Sequence, residues 1–407
     1  MHRMTSSLRA ATLSDTLIWA RAMASELGIT RVTDTTWLDC VGIPVFASIR
    51  PGAATGSLCV NAGKGVRVEE ARVGAYMEAI EFALAEPRAG GPEVELTSPR
   101  NFITQRGVDF SFVDLCPQLG HPVDPDGVLA CVEAEDVSTG ASLLIPAELV
   151  FFPYRENPGQ QIFGTSTTGL ASGNTVEEAT VHGIAELIER DIQARNFFRN
   201  TSQYVHFDEQ APDIDQLRQR IDGAGLDCAV RYTPNEFSMP YFETFILERS
   251  SDYPVSISQG AGLHVIKSIA AVRSLAEAAQ SRLSYIHGGR DDLIDRHQFF
   301  AERGAGVERK AEAEVRRRAR DQSRSIRYSQ IGDSSAATTT IQDALKALLN
   351  SLRAQGIRQV LRVVLSPADS PLAVVKLIAP KLESFQPGLR RVGPRLAALA
   401  TTGDASL

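Results

Sequence analysis

One helix-sized pattern occurs twice in this chain, and it constrains the fold more than any single motif. Set at an offset of 108, residues 65–81 read GVRVEEARVGAYMEAIE and residues 173–189 read GNTVEEATVHGIAELIE. Nine of the 17 aligned positions are identical: Gly65/Gly173, Val68/Val176, Glu69/Glu177, Glu70/Glu178, Ala71/Ala179, Val73/Val181, Glu78/Glu186, Ile80/Ile188 and Glu81/Glu189. Each copy has a glycine at the entry and a Glu-x-x-Glu pair at the far end. Residues three and four apart share a helix face, so the two carboxylates of each pair lie about 60° apart around the axis. On the second copy Glu178, His182, Glu186 and Glu189 fall within an arc of about 80°. Ile80 and Ile188 point the other way, toward a core.

Two helices that each present two carboxylates suit hard divalent cations. Mg2+ takes oxygen ligands, keeps several waters and is commonly bridged to phosphates. A lone ExxE is usually solvated decoration; four glutamates on a repeated plan would be costly to bury without a cation. A third helix carries Arg273, Glu277 and Gln280 on one face. A Walker-type loop is absent, because Gly63-Lys64-Gly65 has neither the upstream glycine nor the following Ser or Thr. Gly260-Ala261-Gly262 and Gly304-Ala305-Gly306 lack the third glycine of a dinucleotide fingerprint.

The rest of the text alternates. Helical periodicity covers Ser14 to Gly28, residues 66–86, Asn174 to Asn196, Ser268 to His287 and Ile341 to Gln355. Strand-like runs occupy 29–33, 41–49, 58–61, 128–135, 142–145, 229–233, 242–247, 255–259 and 360–365. Residues 90–122 read as loop, and residues 303–327, rich in arginine, as a solvated helix face or a flexible insertion. Thr401–Leu407 reads as a polar tail. This alternation fits two or three domains or one large α/β unit.

Composition removes several classes. With 42 basic and 49 acidic residues the net charge is −7, and aromatics make up 7%, which argues against a nucleic-acid partner. The five cysteines form no CxxC, and the seven histidines form no zinc-type pair, so neither a disulfide framework nor structural zinc is expected. The cysteines read as small buried hydrophobes. The opening residues lack an apolar signal core and no apolar run reaches ~18 residues. The expected location is the cytoplasm, with no membrane partner.

The segment TSTTGLASGNTVEEATVHGIAELIERD at 165–191 resembles the YcaO superfamily, whose pattern is a Thr/Ser-rich GLAxGN turn entering a helix that ends in ExxER. Gly63-Lys64-Gly65, EAIE at 78–81 and RSLAEAAQSRL at 273–283 follow in the family's order, and the likeness runs from about Arg9 to about Gln280. It implies a single catalytic domain over residues 1–400, an α/β fold with two related sheet-and-helix halves enclosing ATP and Mg2+, and an enzyme that activates a peptide backbone amide. By the same resemblance Glu78, Glu81, Glu186 and Glu189 are the metal carboxylates. Arg9, Thr16, Lys64, Asn174, Glu178, Arg190 and Arg273 contact the nucleotide, while Arg273 and Glu277 form the catalytic pair. Two departures stand out. Gly74 occupies the position, four before the first metal glutamate, where the family often has Ser, and the chain ends TTGDASL without the proline-rich tail of many azoline-forming cyclodehydratases.

Three amide chemistries belong to such a family: azoline formation at Cys, Ser or Thr, thioamide formation with external sulfide, and amidine formation. GITRVTDTTWLDCVGIPVFASIRPGA at 28–53 resembles the branch paired with TfuA-like proteins, which implies thioamidation of a precursor peptide delivered by a TfuA-like or other partner. A homodimer is compatible with the sequence. Two other readings compete. A carboxylate-bridged dimetal oxidoreductase would need Glu-x-x-His where Glu81 and Glu189 stand, and a scaffold that binds ATP without turnover would fit the Gly74 departure.

Overall fold

The computed structural model describes residues 2–3, 5–249, 255–290 and 302–401, so the tail at 402–407 lies outside the described residues. The chain folds into two compact units. One comprises residues 1–53, 58–80 and 202–340, the other 54–57, 81–201 and 341–407. Each unit holds sheet and helix; the second copy of the repeated pattern lies wholly in the second unit, and the first copy lies in the first unit up to Ile80.

In the first unit, strands Arg31–Asp34, Val45–Ile49 and Val60–Lys64 form an antiparallel sheet in that order. A five-stranded sheet runs Ile257–Leu263, Tyr241–Leu247, Asp227–Tyr232, Gln203–His206, Ser325–Arg327. Its first four strands are antiparallel; the last pairs parallel, Tyr204 opposite Ser325. Tyr241–Leu247 is buried along its whole length, because alternate side chains face two helical layers. Phe242 and Ile246 pack with Ile214, Leu217 and Ile221 of helix Pro212–Gly223 and with Leu275 and Ala278 of helix Lys267–His287. Phe245 and Leu247 meet Ala319 of helix Ala305–Arg320.

That last helix corrects the reading of the basic segment. Its outer side is solvated, with an exposed Arg317–Glu314 pair at 2.5 Å. Its inner side is docked: Arg318 pairs with the buried Glu243 at 2.8 Å, and Arg316 donates to the Glu248 and Ser256 carbonyls at 2.7 and 2.9 Å. The loop reading of residues 90–122 also gives way to a strand, Glu95–Thr97, and a short helix, Pro99–Thr104.

The second unit is built on an antiparallel sheet in the order Glu95–Thr97, Leu129–Asp136, Leu361–Val364, Ala373–Ile378, Leu170–Gly173, with Ser142–Pro146 also paired to Leu129–Asp136. Helix Val176–Phe198 follows the last of these strands, capped by the Thr175 hydroxyl, which accepts from the Glu178 amide at 3.1 Å.

Both copies of the pattern enter their helices in the same way. A Cβ added to Gly65 would lie 2.5 Å from Glu70 Cβ and 2.9 Å from the Ala71 nitrogen; one on Gly173 would lie 2.9 Å from Glu178 Cβ and 2.6 Å from the Ala179 nitrogen. The offsets match, so the strand end rests directly on the first helical turn in each unit. Gly63 is tighter still, its Cβ position only 2.0 Å from the Ala75 nitrogen, whereas a Cβ on Gly74 finds its nearest neighbour at 3.4 Å. Gly63→Ala is therefore expected to lower unfolding free energy by about 1–3 kcal/mol or more. Gly74→Ser, which restores the family's hydroxyl, is expected to be neutral or stabilising, because helix-interior glycine costs about 0.5–1 kcal/mol relative to alanine. Urea denaturation of the two variants checks both; a Gly74→Ser loss as large as that of Gly63→Ala contradicts the packing described.

Candidate active site

The repeated helices lie at Val68–Ala85 and Val176–Phe198. Ile80 and Ile188 are fully buried, as their position opposite the carboxylates requires. Glu78 belongs to the first unit and Glu81, one turn on, to the second.

Within the first unit, Lys64 Nζ meets Glu277 Oε2 at 2.5 Å, and the Ala261 amide donates to Glu277 Oε1 at 3.3 Å. This ties the end of strand Val60–Lys64 to the helix of the Arg273/Glu277 pair. Gln280, one turn beyond Glu277, donates through Nε2 to the Ala62 carbonyl. Glu78 is held above the usual carboxylate range, first by burial; Arg290 and Lys64 oppose the shift and Glu277 adds to it. A divalent cation would relieve that cost, so Glu78 fits a metal ligand. Arg9 Nε donates to Ser7 Oγ at 2.9 Å, and the buried Thr16 hydroxyl donates to the Thr12 carbonyl at 2.8 Å.

Arg273 is half-buried, and its Nε makes no hydrogen bond to any described residue. His264, just past the end of strand Ile257–Leu263 in the connection to this helix, is 3% exposed. Burial first, then Arg273 and Arg3, push its imidazole pKa down to about 3. The unfolded ring titrates near ~6.5, so between pH 3 and 6.5 the unfolded chain binds the extra proton. The resulting stability is fully present above pH 6.5 and is lost as pH falls. About 2 kcal/mol is expected to disappear between pH 7 and 5. Urea denaturation at the two pH values measures it, with His264→Gln as the reference that lacks this component; equal slopes in parent and variant contradict the assignment.

Within the second unit, Ser172 Oγ donates to Glu81 Oε1 at 2.5 Å, and His182 Nδ1 lies 3.3 Å from the Ser172 carbonyl. Glu186 accepts from the Gly169 amide at 3.3 Å and pairs with Arg190 at 3.3 Å. Arg190 also donates to Gln193 at 2.9 Å. Asn174 Nδ2 donates to both oxygens of the buried Glu178, at 3.3 and 3.1 Å, and Glu189 is buried on the same helix. Ser172 and Lys376 escaped the sequence reading. Lys376 sits in the apolar run of strand Ala373–Ile378, 1% exposed, and donates to the Ser166 carbonyl at 2.5 Å beneath the Thr/Ser-rich loop. Burial brings its pKa down to about 7 against the opposing pull of Glu186. A lone lysine inside a β-prone apolar stretch is the signal that marks it.

Among the described residues no three His, Cys, Asp or Glu side chains are gathered as a ready-made metal cage. Glu81 is instead met by the Ser172 hydroxyl, Glu178 by the Asn174 amide, and Glu186 by the Gly169 amide and the Arg190 guanidinium. Four of the five thiols are held in the protonated, weakly nucleophilic form. Burial pushes Cys131 and Cys228 up to about 12 and Cys116 further, and Cys40 also shifts upward, burial first. No disulfide joins any of the five cysteines, and only Cys116 and Cys131 are buried as expected; Cys59 and Cys228 are half-buried and Cys40 is exposed. No helix among the described residues is long and apolar enough to cross a membrane.

Residues 62–383 match the model of the YcaO cyclodehydratase family, described as ATP- and Mg2+-binding. An uncharacterised protein of Methanothermobacter thermautotrophicus is 33% identical over 91% of this chain and 94% of its own. An uncharacterised protein encoded in the tfuA 3' region of Rhizobium leguminosarum bv. trifolii is 31% identical over 92% of this chain and 88% of its own. Among solved structures, YcaO from Methanopyrus kandleri bound with AMPPCP and Mg2+ superposes with a TM-score of 0.74 at 20% identity, covering 95% and 96% of the two chains.

Proposed function

Because this chain belongs to the YcaO family, and is thereby an ATP- and Mg2+-binding peptide-modifying enzyme, we propose that it forms a thioamide on the backbone of a ribosomally made precursor peptide, together with a TfuA-like partner. The observation that carries the finer reading is the relative encoded beside tfuA, alike over nearly the whole of both chains. Burial holds the thiols of Cys116, Cys131 and Cys228 protonated, which favours a sulfur donor from outside the protein.

In this reading Glu78, Glu81, Glu186 and Glu189 hold Mg2+, and Arg9, Thr16, Lys64, Asn174, Glu178, Arg190 and Arg273 contact the nucleotide. Bound ATP and Mg2+ supply the phosphoryl group and charge neutralisation that let the amide oxygen, a poor leaving group, depart as phosphate. Arg273 keeps an unspent guanidinium nitrogen for oxyanion charge. Glu277, anchored from two sides by Lys64 and the Ala261 amide, keeps that part of the helix in register. Arg190 already spans Glu186 and Gln193, so its guanidinium is oriented before any ligand arrives.

Mass spectrometry of a precursor peptide incubated with this protein, ATP, Mg2+, sulfide and a TfuA-like protein tests the product. The expected result is exchange of one oxygen for sulfur, dependent on sulfide and on the partner. Loss of one water at a Cys, Ser or Thr site without sulfide establishes the azoline alternative. Peptide-independent nucleotide binding with no phosphate release establishes a scaffold.

A further inference from the structure

His264 and Arg273, joined through the end of one strand and the helix that follows it, each carry a buried nitrogen donor with no partner among the described residues, and an oxyanion is a group that would answer both. The Ile266 amide donates to His264 Nδ1 at 3.0 Å, so Nδ1 is an acceptor and the ring proton sits on Nε2. That Nε2 is buried and has no hydrogen-bond partner among the described residues, and the same holds for Arg273 Nε. Buried donors are nearly always paired, and leaving one unpaired is costly. The two groups are held by one strand-to-helix connection. A Cβ on Gly262 would lie 2.9 Å from Arg273 Cβ, and the His264 amide is pinned to the Pro240 carbonyl at 3.3 Å.

The chemistry of a group that would answer both donors follows from their charges. A metal ion is excluded because Nδ1 is occupied by a donor and Nε2 carries the proton, while Arg273 repels cations. A neutral carbonyl would satisfy the imidazole and leave the guanidinium charge unmet. Arg3 adds a further positive charge close enough to act on the ring. An oxyanion that takes one neutral and one charged hydrogen bond meets every requirement.

We propose that His264 Nε2–H and the Arg273 guanidinium form one phosphate-oxygen subsite, in which His264 is a nucleotide-contacting residue; this rests on the placement of Arg273 at the nucleotide given above. Because the ring stays neutral over the working pH range, it donates a hydrogen bond without competing with Arg273 for negative charge.

Two measurements test the subsite, neither of which is turnover. In the parent protein labelled with 15N-histidine, the His264 Nε2–H resonance is expected to move downfield on addition of ATP with Mg2+, and less on addition of inorganic phosphate alone. An unmoved resonance with ATP bound overturns the proposal, and an equal shift with phosphate assigns the subsite to free phosphate rather than nucleotide. By calorimetry, His264→Leu is expected to weaken Mg2+-dependent ATP binding about tenfold or more, the worth of one hydrogen bond to a charged group, and His264→Gln to recover most of that loss through its amide N–H. If Arg273→Ala loses ATP affinity while His264→Leu keeps it, the subsite is wrong and the nucleotide placement of Arg273 stands. If neither variant loses affinity, both fail together.

Discussion

Glu186→Gln is expected to leave the fold intact and to weaken Mg2+-dependent ATP binding by ~10²-fold or more, since even the loss of groups that merely support a metal ligand typically costs 10–100-fold in affinity. The carboxylate is placed for this outcome. Its two structural partners, the Gly169 amide and Arg190, sit at long distances of 3.3 Å, so little of its charge is committed to holding the fold. Glutamine keeps the shape and one acceptor oxygen, enough for either the Gly169 amide, which now meets Oε2, or Arg190, which now meets Oε1, but removes the charge that a hard cation requires. Calorimetry with and without Mg2+ is the measurement, with thermal melting as the control. ATP affinity equal to the parent's in the presence of Mg2+ removes the second helix from the metal site.

The largest effect on stability is expected at Arg282. Its Nε donates to both oxygens of Asp39 at 3.1 Å, its Nη2 to Glu248 at 2.7 Å and its Nη1 to the Val255 carbonyl at 3.1 Å. The side chains of Arg282, Asp39 and Glu248 are 7%, 4% and 10% exposed. Arg282→Leu strands two buried carboxylates without a counter-charge, a change that typically costs about 3–5 kcal/mol. Arg282→Lys keeps the charge but loses the fork that reaches two acids and a carbonyl together, and it should fall between variant and parent. Urea denaturation reads the difference. A loss below about 1 kcal/mol for Arg282→Leu would place the triad among solvated surface pairs.

The elements proposed to carry the chemistry are the most legible. The repeated helices, the buried faces of Ile80 and Ile188, and the helix of Arg273 emerge close to their expected bounds, because long periodic stretches with glycine entries state their structure locally. Helix Pro212–Gly223 escaped notice although Pro212 marks its start; only Ile214, Leu217 and Ile221 are buried on an otherwise polar surface. The strand Gln203–His206 takes its parallel partner, Ser325–Arg327, from more than a hundred residues away, and no local pattern encodes such a pairing. His264 and Lys376 were invisible for a related reason. Their meaning lies in what surrounds them, an unanswered donor in one case and a loop carbonyl in the other, and a single residue letter carries neither.

The fit of Gly65 and Gly173 against their helices bears on how mutational scans of this protein should be interpreted. Any side chain there must displace helix backbone, so both positions would score as intolerant in a growth or turnover screen, alongside Glu186 and Arg273. The two kinds of intolerance have different origins. Substituted glycines should fall out at the level of soluble protein, while substituted glutamates should accumulate normally and fail only when nucleotide is supplied. A screen that records abundance and activity in the same cells would separate the scaffold from the chemistry at every position of both helices.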